Sequence, residues 1–119
     1  MIIRDTYLKR MIDAKDTELI KVITGVRRSG KSTLLLMFKE YLIKNDISTD
    51  NIIYINFESA IYDDIKDYKD LYKFVASKIK QGKMYLLLDE VQNVTAWEKA
   101  VNSFKVDFDI DIYITGSNA

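Results

Sequence analysis

The sequence predicts an α/β fold of three layers, in which helices cover both faces of a parallel sheet. Runs of apolar and β-branched residues alternate along the chain with segments whose apolar residues recur at spacings of three and four. The third strand-like run, at residues 83 to 88, is almost wholly apolar, as is typical of a central parallel strand. With 119 residues, of which 48% are apolar, the chain is long enough to form one core.

The pattern predicts four strands and four helices. The strands are expected at residues 18 to 24, 51 to 57, 83 to 88 and 108 to 114. The helices are expected at residues 5 to 14, at 31 to 44, along an apolar face from 68 to 79, and from 95 to about 105.

Three local patterns predict where the last two helices begin or end. Four aspartates between residues 63 and 70 crowd the start of the third helix, where carboxylates suit the helix dipole. Gln81-Gly82 is expected to end that helix with a left-handed glycine. Thr95 and Glu98 have the spacing of a capping box, which predicts the start of the fourth helix.

Composition excludes several kinds of chemistry. The 18 basic and 18 acidic residues cancel, so net charge gives no reason to expect a nucleic-acid partner. The absence of cysteine and histidine excludes disulfides, thiol chemistry, imidazole bases and Cys/His zinc sites. No apolar run approaches the roughly 18 residues of a membrane span, and no signal peptide is recognisable, so we expect a cytoplasmic protein without a membrane partner.

A phosphate-binding motif lies between the first strand and the second helix. Residues 25 to 32, Gly-Val-Arg-Arg-Ser-Gly-Lys-Ser, fit G-x-x-x-x-G-K-[ST] at every fixed position. Backbone N–H groups at such a turn can hold the phosphates of a nucleoside triphosphate, Lys31 adds a cation, and the Ser32 hydroxyl suits Mg²⁺. The predicted nucleotide-binding residues are Gly25, Arg28, Ser29, Gly30, Lys31, Ser32 and Thr33.

Two acidic residues follow the third strand. Asp89 and Glu90 come at its carboxyl end, where parallel sheets bind ligands. Asp89 would hold the Mg²⁺ shell, directly or through water, and Glu90 would polarise an attacking water. Side chains alternate along a strand, so both acids can serve one site only where the strand ends. The alternative is a strand that ends in a polar turn.

The fourth strand also ends in polar residues, Thr115-Gly116-Ser117-Asn118. A side chain at this edge could hydrogen-bond the γ-phosphate or its attacking water. We favour Ser117 over Asn118 and Thr115 for that contact. A turn that satisfies its own backbone is the alternative.

These motifs occur in an order that resembles the predicted prokaryotic ATPases of the AAA+ superfamily. The resemblance covers Gly-Val-Arg-Arg-Ser-Gly-Lys-Ser, Leu-Leu-Leu-Asp-Glu-Val-Gln from residue 86, Trp97-Glu98, and Tyr-Ile-Thr-Gly-Ser from residue 113. It implies a P-loop NTPase fold with strand order 5-1-4-3-2 and ATP-Mg²⁺ as ligand. It also implies catalytic roles for Lys31, Glu90 and Ser117, and metal-binding roles for Ser32 and Asp89.

The chain stops after the predicted fourth strand. The fifth strand, the lid, the second sensor and any arginine finger of the resembled family have no counterpart in it. We therefore expect residues 1 to 119 to be the N-terminal part of a longer ATPase. A homo-oligomer, a client protein or a nucleic acid could then be engaged through the missing domains.

Other functions remain open from the sequence. One is a P-loop phosphotransferase, which would need an acceptor pocket and an Arg-rich lid. Another is a nucleotide-binding switch or scaffold without turnover. No N-K-x-D motif follows, so ATP is preferred over GTP only by default.

Overall fold

The computed structural model describes residues 2–17, 19–23 and 28–116, with side chains at 6–17, 19–23 and 30–116. Helices and strands alternate through these residues, which confirms the predicted α/β fold class. The elements are α1 (Ile2–Ala14), β1 (Lys21–Ile23), α2 (Arg28–Lys44), β2 (Ile52–Asn56), α3 (Tyr68–Lys78), β3 (Met84–Asp89), α4 (Trp97–Asp107) and β4 (Ile110–Thr115). No helix in these described ranges is both long enough and apolar enough to cross a bilayer.

The four described strands form one parallel sheet in the order β1-β4-β3-β2. This order agrees with the part of the implied order that concerns these strands. The register places Asn56 beside Asp89, and Leu88 beside Ile114. The carboxyl ends of β2, β3 and β4 therefore lie together at one edge of the sheet.

Two apolar clusters form the layers on either side of the sheet. On one face, Phe38 and Leu42 of α2 pack against Leu87 and Tyr113, and the rings of Phe38 and Tyr113 are 4.4 Å apart. On the other face, α3 and α4 pack over the alternate residues of β2, β3 and β4. Every residue of β3 is buried, as predicted for a strand covered on both faces, and every residue of β4 is buried as well.

The predicted glycine end of α3 is wrong. The helix ends at Lys78, and Ile79 is already extended, with φ −66° and ψ 132°. The partly buried Ile79 side chain packs against the apolar cluster beneath α3 and α4. Gly82 does adopt a positive φ of 87°, but in the turn that leads into β3. The Asn51 amide fixes that turn by donating to the carbonyls at 81 and 83, at 2.8 and 3.1 Å.

The predicted capping box of α4 is also wrong. The N-cap is Ala96, which has left-handed φ and ψ of 56° and 35° and no side-chain capping bond. The backbone N–H of Thr95 donates to the Lys66 carbonyl at 2.9 Å, and Thr95 forms a parallel bridge with Asp67. This contact with the loop before α3 sets the backbone at Thr95, and the chain then turns into α4 through Ala96.

The aspartates before α3 behave as predicted. Asp67 accepts a hydrogen bond from the Asp70 N–H at 3.0 Å, and Asp70 in turn accepts from the Asp67 N–H at 3.3 Å. This is a reciprocal capping box. Asp70 also accepts from the Lys66 N–H at 3.0 Å. The hydrogen bonds from the Lys66 and Asp67 backbone lower the pKa of Asp70, although desolvation opposes them.

Replacing Asp70 by asparagine is expected to make the free energy of unfolding fall less steeply as the pH is lowered. Because folding lowers the pKa of Asp70 from its ordinary value of 3.8, its ionised form stabilises the fold above that pH. This contribution is lost as pH falls through the folded-state pKa. Urea unfolding between about pH 5 and pH 2 should show a shallower decline for Asp70→Asn than for the exposed control Asp64→Asn. Equal slopes would contradict the assignment.

A buried polar network lies on the α1/α2 side of the sheet, toward the amino ends of the strands. Lys21 forms an ion pair with Asp111, and their side chains are 8% and 0% exposed. Asp111 also accepts from the Tyr113 hydroxyl at 2.8 Å and from the Asp16 N–H at 2.9 Å. The Tyr85 hydroxyl donates to Asp16 at 2.8 Å. The network therefore ties the turn after α1 to three strands.

Candidate functional site

The predicted phosphate-binding helix begins at Arg28, three residues earlier than expected, and its first turns meet the sheet. Gly30 is buried, and Lys31 is buried with only 4% of its surface exposed. Ser32 and Thr33 are partly buried in the same segment. The predicted residues are therefore helical from 28 onward, at the N-terminus that would face an anion.

Some predicted site residues fall outside what the structure describes. Gly25, Ser117 and Asn118 lie outside the described residues, and for Arg28 and Ser29 only the backbone is described. Their predicted roles in nucleotide binding and γ-phosphate contact therefore stay predictions.

Ser32 and Asp89 meet although 57 residues separate them in sequence. The Ser32 hydroxyl donates to Asp89 Oδ2 at 2.5 Å. The contact forms because α2 begins over the edge of the sheet where β3 ends, with Asp89 as the last residue of that strand. Asp89 is fully buried. An ionised carboxylate in such a place needs hydrogen-bond donors, and the serine hydroxyl supplies one.

Thr115 connects Asp89 to the residue that follows it. Its hydroxyl donates to Asp89 Oδ1 at 2.5 Å and accepts from the Glu90 N–H at 3.1 Å. Thr115 is fully buried at the end of β4, which pairs with β3. One hydroxyl thus orients the Asp89 carboxylate and also satisfies a buried backbone donor.

Glu90 leaves the strand in an unusual backbone conformation. Its φ and ψ are 58° and 51°, in the left-handed region that a non-glycine residue adopts at a cost of about 1–3 kcal/mol. This turn breaks the alternation of the strand beyond Asp89. The Glu90 side chain is buried, and the Gln92 amide donates to its Oε1 at 2.7 Å. Strained residues of this kind cluster at functional sites.

Tyr54 of β2 provides a further donor to the same carboxylate. Its hydroxyl donates to Asp89 Oδ2 at 3.1 Å. Burial, followed by the charge of Asp89 and this hydrogen bond, raises the pKa of Tyr54 well above its usual value of 10.0. The phenol therefore keeps its proton at physiological pH and remains a donor.

The oxygen atoms of Ser32 and Asp89 could bind a hard cation such as Mg²⁺ only if other ligands complete its coordination shell. The described residues contain no group of three His, Cys, Asp or Glu side chains that could hold a metal by themselves. Ser32 and Asp89 supply one hydroxyl and one carboxylate. Mg²⁺ is commonly bound in this way, by one or two protein oxygens together with phosphate oxygens and water. The residues therefore fit a magnesium ion that arrives with a polyphosphate.

Two of the side chains that surround Asp89 and Glu90 were missed by sequence reasoning, and a third was ranked low. Tyr54 belongs to no motif, Gln92 ends the Leu-Leu-Leu-Asp-Glu-Val-Gln run but had no predicted role, and Thr115 was placed behind Ser117. The signal for Tyr54 is its position on the strand beside β3, on the same face as Asp89. That signal becomes usable only once the register between the strands is known.

Comparison with known proteins identifies the family. A family model described as an AAA domain matches residues 17–119. A protein of Haemophilus influenzae is 50% identical over the whole of this chain, which spans 30% of that protein. A protein of Methanocaldococcus jannaschii is 40% identical over 84% of this chain and 21% of its own length. Both relatives are described as uncharacterized, and no solved structure matches the chain. The match over residues 17–119 shows that the chain belongs to the AAA domain family.

Proposed function

We propose that this domain binds ATP with Mg²⁺ and hydrolyses it, and that hydrolysis drives a conformational change in a larger protein. The observation that carries the proposal is the 2.5 Å hydrogen bond between Ser32 and Asp89. It brings the hydroxyl of the phosphate-binding motif against the acid at the end of β3. Two motifs that are distant in sequence then form one site, as a nucleotide-metal complex requires.

The triphosphate would lie at the N-terminus of α2. The backbone N–H groups of the first turn have no partner within the helix, and the helix dipole favours an anion there. Lys31 would place its ammonium against the outer phosphates. Gly25, Arg28, Ser29, Gly30 and Thr33 complete the proposed nucleotide-binding set.

Ser32 and Asp89 would hold the magnesium ion. The ion would neutralise charge on the outer phosphates when it is bound. The Ser32 oxygen has lone pairs free for the metal while its O–H still donates to Asp89, so the observed hydrogen bond need not break. Asp89, whose two oxygens already accept from hydroxyl groups, would act directly or through water.

Glu90 is proposed as the group that polarises the attacking water. It follows Asp89 at the same edge of the sheet and is buried, so its carboxylate would act in a site that excludes bulk water. Ser117 is proposed to contact the γ-phosphate, because in sequence it comes two residues after the end of β4, which lies at that edge. Thr115 precedes it and already touches the Asp89 carboxylate.

The larger protein is also part of the proposal. The chain spans less than a third of the length of the two relatives described above. We propose that residues 1–119 are the N-terminal part of the ATP-binding domain, and that a lid and further domains act with it. A second copy of the protein, a client protein or a nucleic acid would be engaged through those domains.

Replacing Lys31 by methionine should weaken ATP binding and abolish measurable turnover. A charged hydrogen bond is worth about 1.5–3 kcal/mol, which corresponds to a loss of affinity of about 10- to 150-fold. Phosphate release and ATP affinity would be measured for Lys31→Met and for Lys44→Met, at the other end of the same helix. The control should behave as the unmodified protein does. Unchanged affinity and turnover in Lys31→Met would reject the proposed site.

A nucleotide-binding switch without turnover is the second candidate. The observation in its favour is the Gln92 amide, which donates to Glu90 Oε1 and thereby occupies one of the two oxygens that could take a proton from water. Incubation with γ-labelled ATP distinguishes the two functions. Release of labelled phosphate supports the ATPase, whereas ATP that is bound tightly and recovered intact supports the switch.

A further inference from the structure

Tyr54 reaches the site across the sheet. In β2 it lies beside Leu87 of β3, and Asn56 lies beside Asp89. Tyr54 and Asp89 therefore occupy neighbouring strands with an offset of two residues, which puts their side chains on the same face. An aromatic side chain can span this diagonal distance, and the Tyr54 hydroxyl donates to Asp89 Oδ2 at 3.1 Å.

Hydroxyl groups from three different elements hold the Asp89 carboxylate. Among the described side chains, Ser32 of α2 and Tyr54 of β2 donate to Oδ2, and Thr115 of β4 donates to Oδ1. Donors on both oxygens fix the plane of the carboxylate as well as its direction. Ser32 also belongs to the phosphate-binding motif, and the Thr115 hydroxyl also accepts from the Glu90 N–H. Tyr54 is the donor that acts on Asp89 without belonging to a recognised motif.

We propose that Tyr54 is a positioning residue for the metal site, because its hydroxyl keeps the Asp89 carboxylate in the orientation that serves Mg²⁺. This inference rests on the proposed function, in which Asp89 belongs to the magnesium shell. Groups that orient a metal ligand contribute to metal affinity although they do not touch the metal, and losing one costs about 10- to 100-fold.

The effect should appear in metal dependence and not in nucleotide binding as such. The proposed phosphate contacts come from α2, whereas the Tyr54 hydroxyl comes from β2 and donates to the Asp89 carboxylate. Removing the hydroxyl while keeping the ring should therefore leave ATP binding in EDTA within about twofold. The Mg²⁺ concentration that gives half of the full binding should rise by about tenfold.

Tyr54→Phe provides the test, with Tyr85→Phe as the matched control. Tyr85 is also a strand tyrosine on the same face whose hydroxyl donates to an aspartate, Asp16, but it lies in the network toward the amino ends of the strands. ATP affinity in EDTA and half-saturating Mg²⁺ would be measured for both variants, with thermal unfolding to show that each is folded. The inference predicts a shift in Mg²⁺ dependence for Tyr54→Phe and none for Tyr85→Phe.

A double-mutant cycle with Asp89→Asn shows whether Tyr54 acts through that carboxylate. In the Asp89→Asn background, Tyr54→Phe should add no further shift in half-saturating Mg²⁺. An equal extra shift in both backgrounds would overturn the inference. So would normal Mg²⁺ dependence of Tyr54→Phe in a protein that binds Mg²⁺-ATP, and the proposed function would then stand. No Mg²⁺-dependent ATP binding by the unmodified protein would overturn both.

Discussion

Replacing Glu90 by glutamine is expected to lower the rate of ATP hydrolysis by about 100-fold or more while ATP binding persists. The amide keeps the shape of the side chain but cannot take a proton from water. The proposed phosphate contacts from α2 and the Ser32–Asp89 hydrogen bond do not involve this side chain. The separation of turnover from binding is therefore the expected signature of a group that acts on water.

The measurement is steady-state phosphate release at saturating ATP and Mg²⁺, together with ATP affinity. Glu40→Gln is a suitable control, because Glu40 is an exposed carboxylate on α2. It should leave both quantities unchanged. Hydrolysis by Glu90→Gln at the rate of the unmodified protein would show that Glu90 does not polarise the attacking water. Another polar group at this edge of the sheet would then have to do so.

Replacing Asp111 by alanine is expected to cost about 3–5 kcal/mol of the free energy of unfolding. The substitution leaves the Lys21 ammonium in a site that is 8% exposed, without the carboxylate that compensates its charge. The Tyr113 hydroxyl and the Asp16 N–H lose their acceptor as well. Because a domain of this kind is stable by only about 5–15 kcal/mol, the loss should be evident at room temperature.

Urea unfolding of the unmodified protein, Asp111→Ala and Asp111→Asn measures this contribution. The asparagine variant keeps an acceptor oxygen, so it should be destabilised less than the alanine variant. A change of under about 1 kcal/mol for Asp111→Ala would show that water replaces the carboxylate, and that the network does not hold the turn after α1.

Local patterns predicted the elements of the fold well. The helical spacing that includes Leu35, Phe38 and Leu42 predicted α2, because its apolar face is the face that the sheet buries. The apolar run that became β3 was assigned to the centre of the sheet, and it lies between β2 and β4. In both cases a property of the local sequence is sufficient to determine the element.

The errors arose where distant contacts set the backbone. The predicted capping box at Thr95 does not form, and the Thr95 N–H instead donates to the carbonyl of Lys66, about thirty residues earlier. α3 ends where Ile79 becomes extended and packs against the core, and Gly82 lies in the following turn instead. Neither contact leaves a local signature, so helix ends of this kind cannot be derived from spacing alone.

The candidate site divides in the same way. The sequence predicted that Ser32 and Asp89 lie close together, because their motifs follow the carboxyl ends of two strands and a parallel sheet places those ends at one edge. The Ser32 hydroxyl does donate to the Asp89 carboxylate. Tyr54 lies outside any motif, and Gln92 ends the Leu-Leu-Leu-Asp-Glu-Val-Gln run without a predicted role. Their contacts with Asp89 and Glu90 depend on strand register and on the left-handed turn at Glu90, which the pattern of residues does not reveal.

Calorimetric titration of the protein with ATP, once in Mg²⁺ and once in EDTA, tests most directly whether α2 and the end of β3 form one site. We expect saturable binding of one ATP per chain that is tighter in Mg²⁺ and is weakened toward the EDTA value by Asp89→Asn. The absence of heat in both conditions, or equal affinity with and without Mg²⁺ in a folded protein, would contradict it.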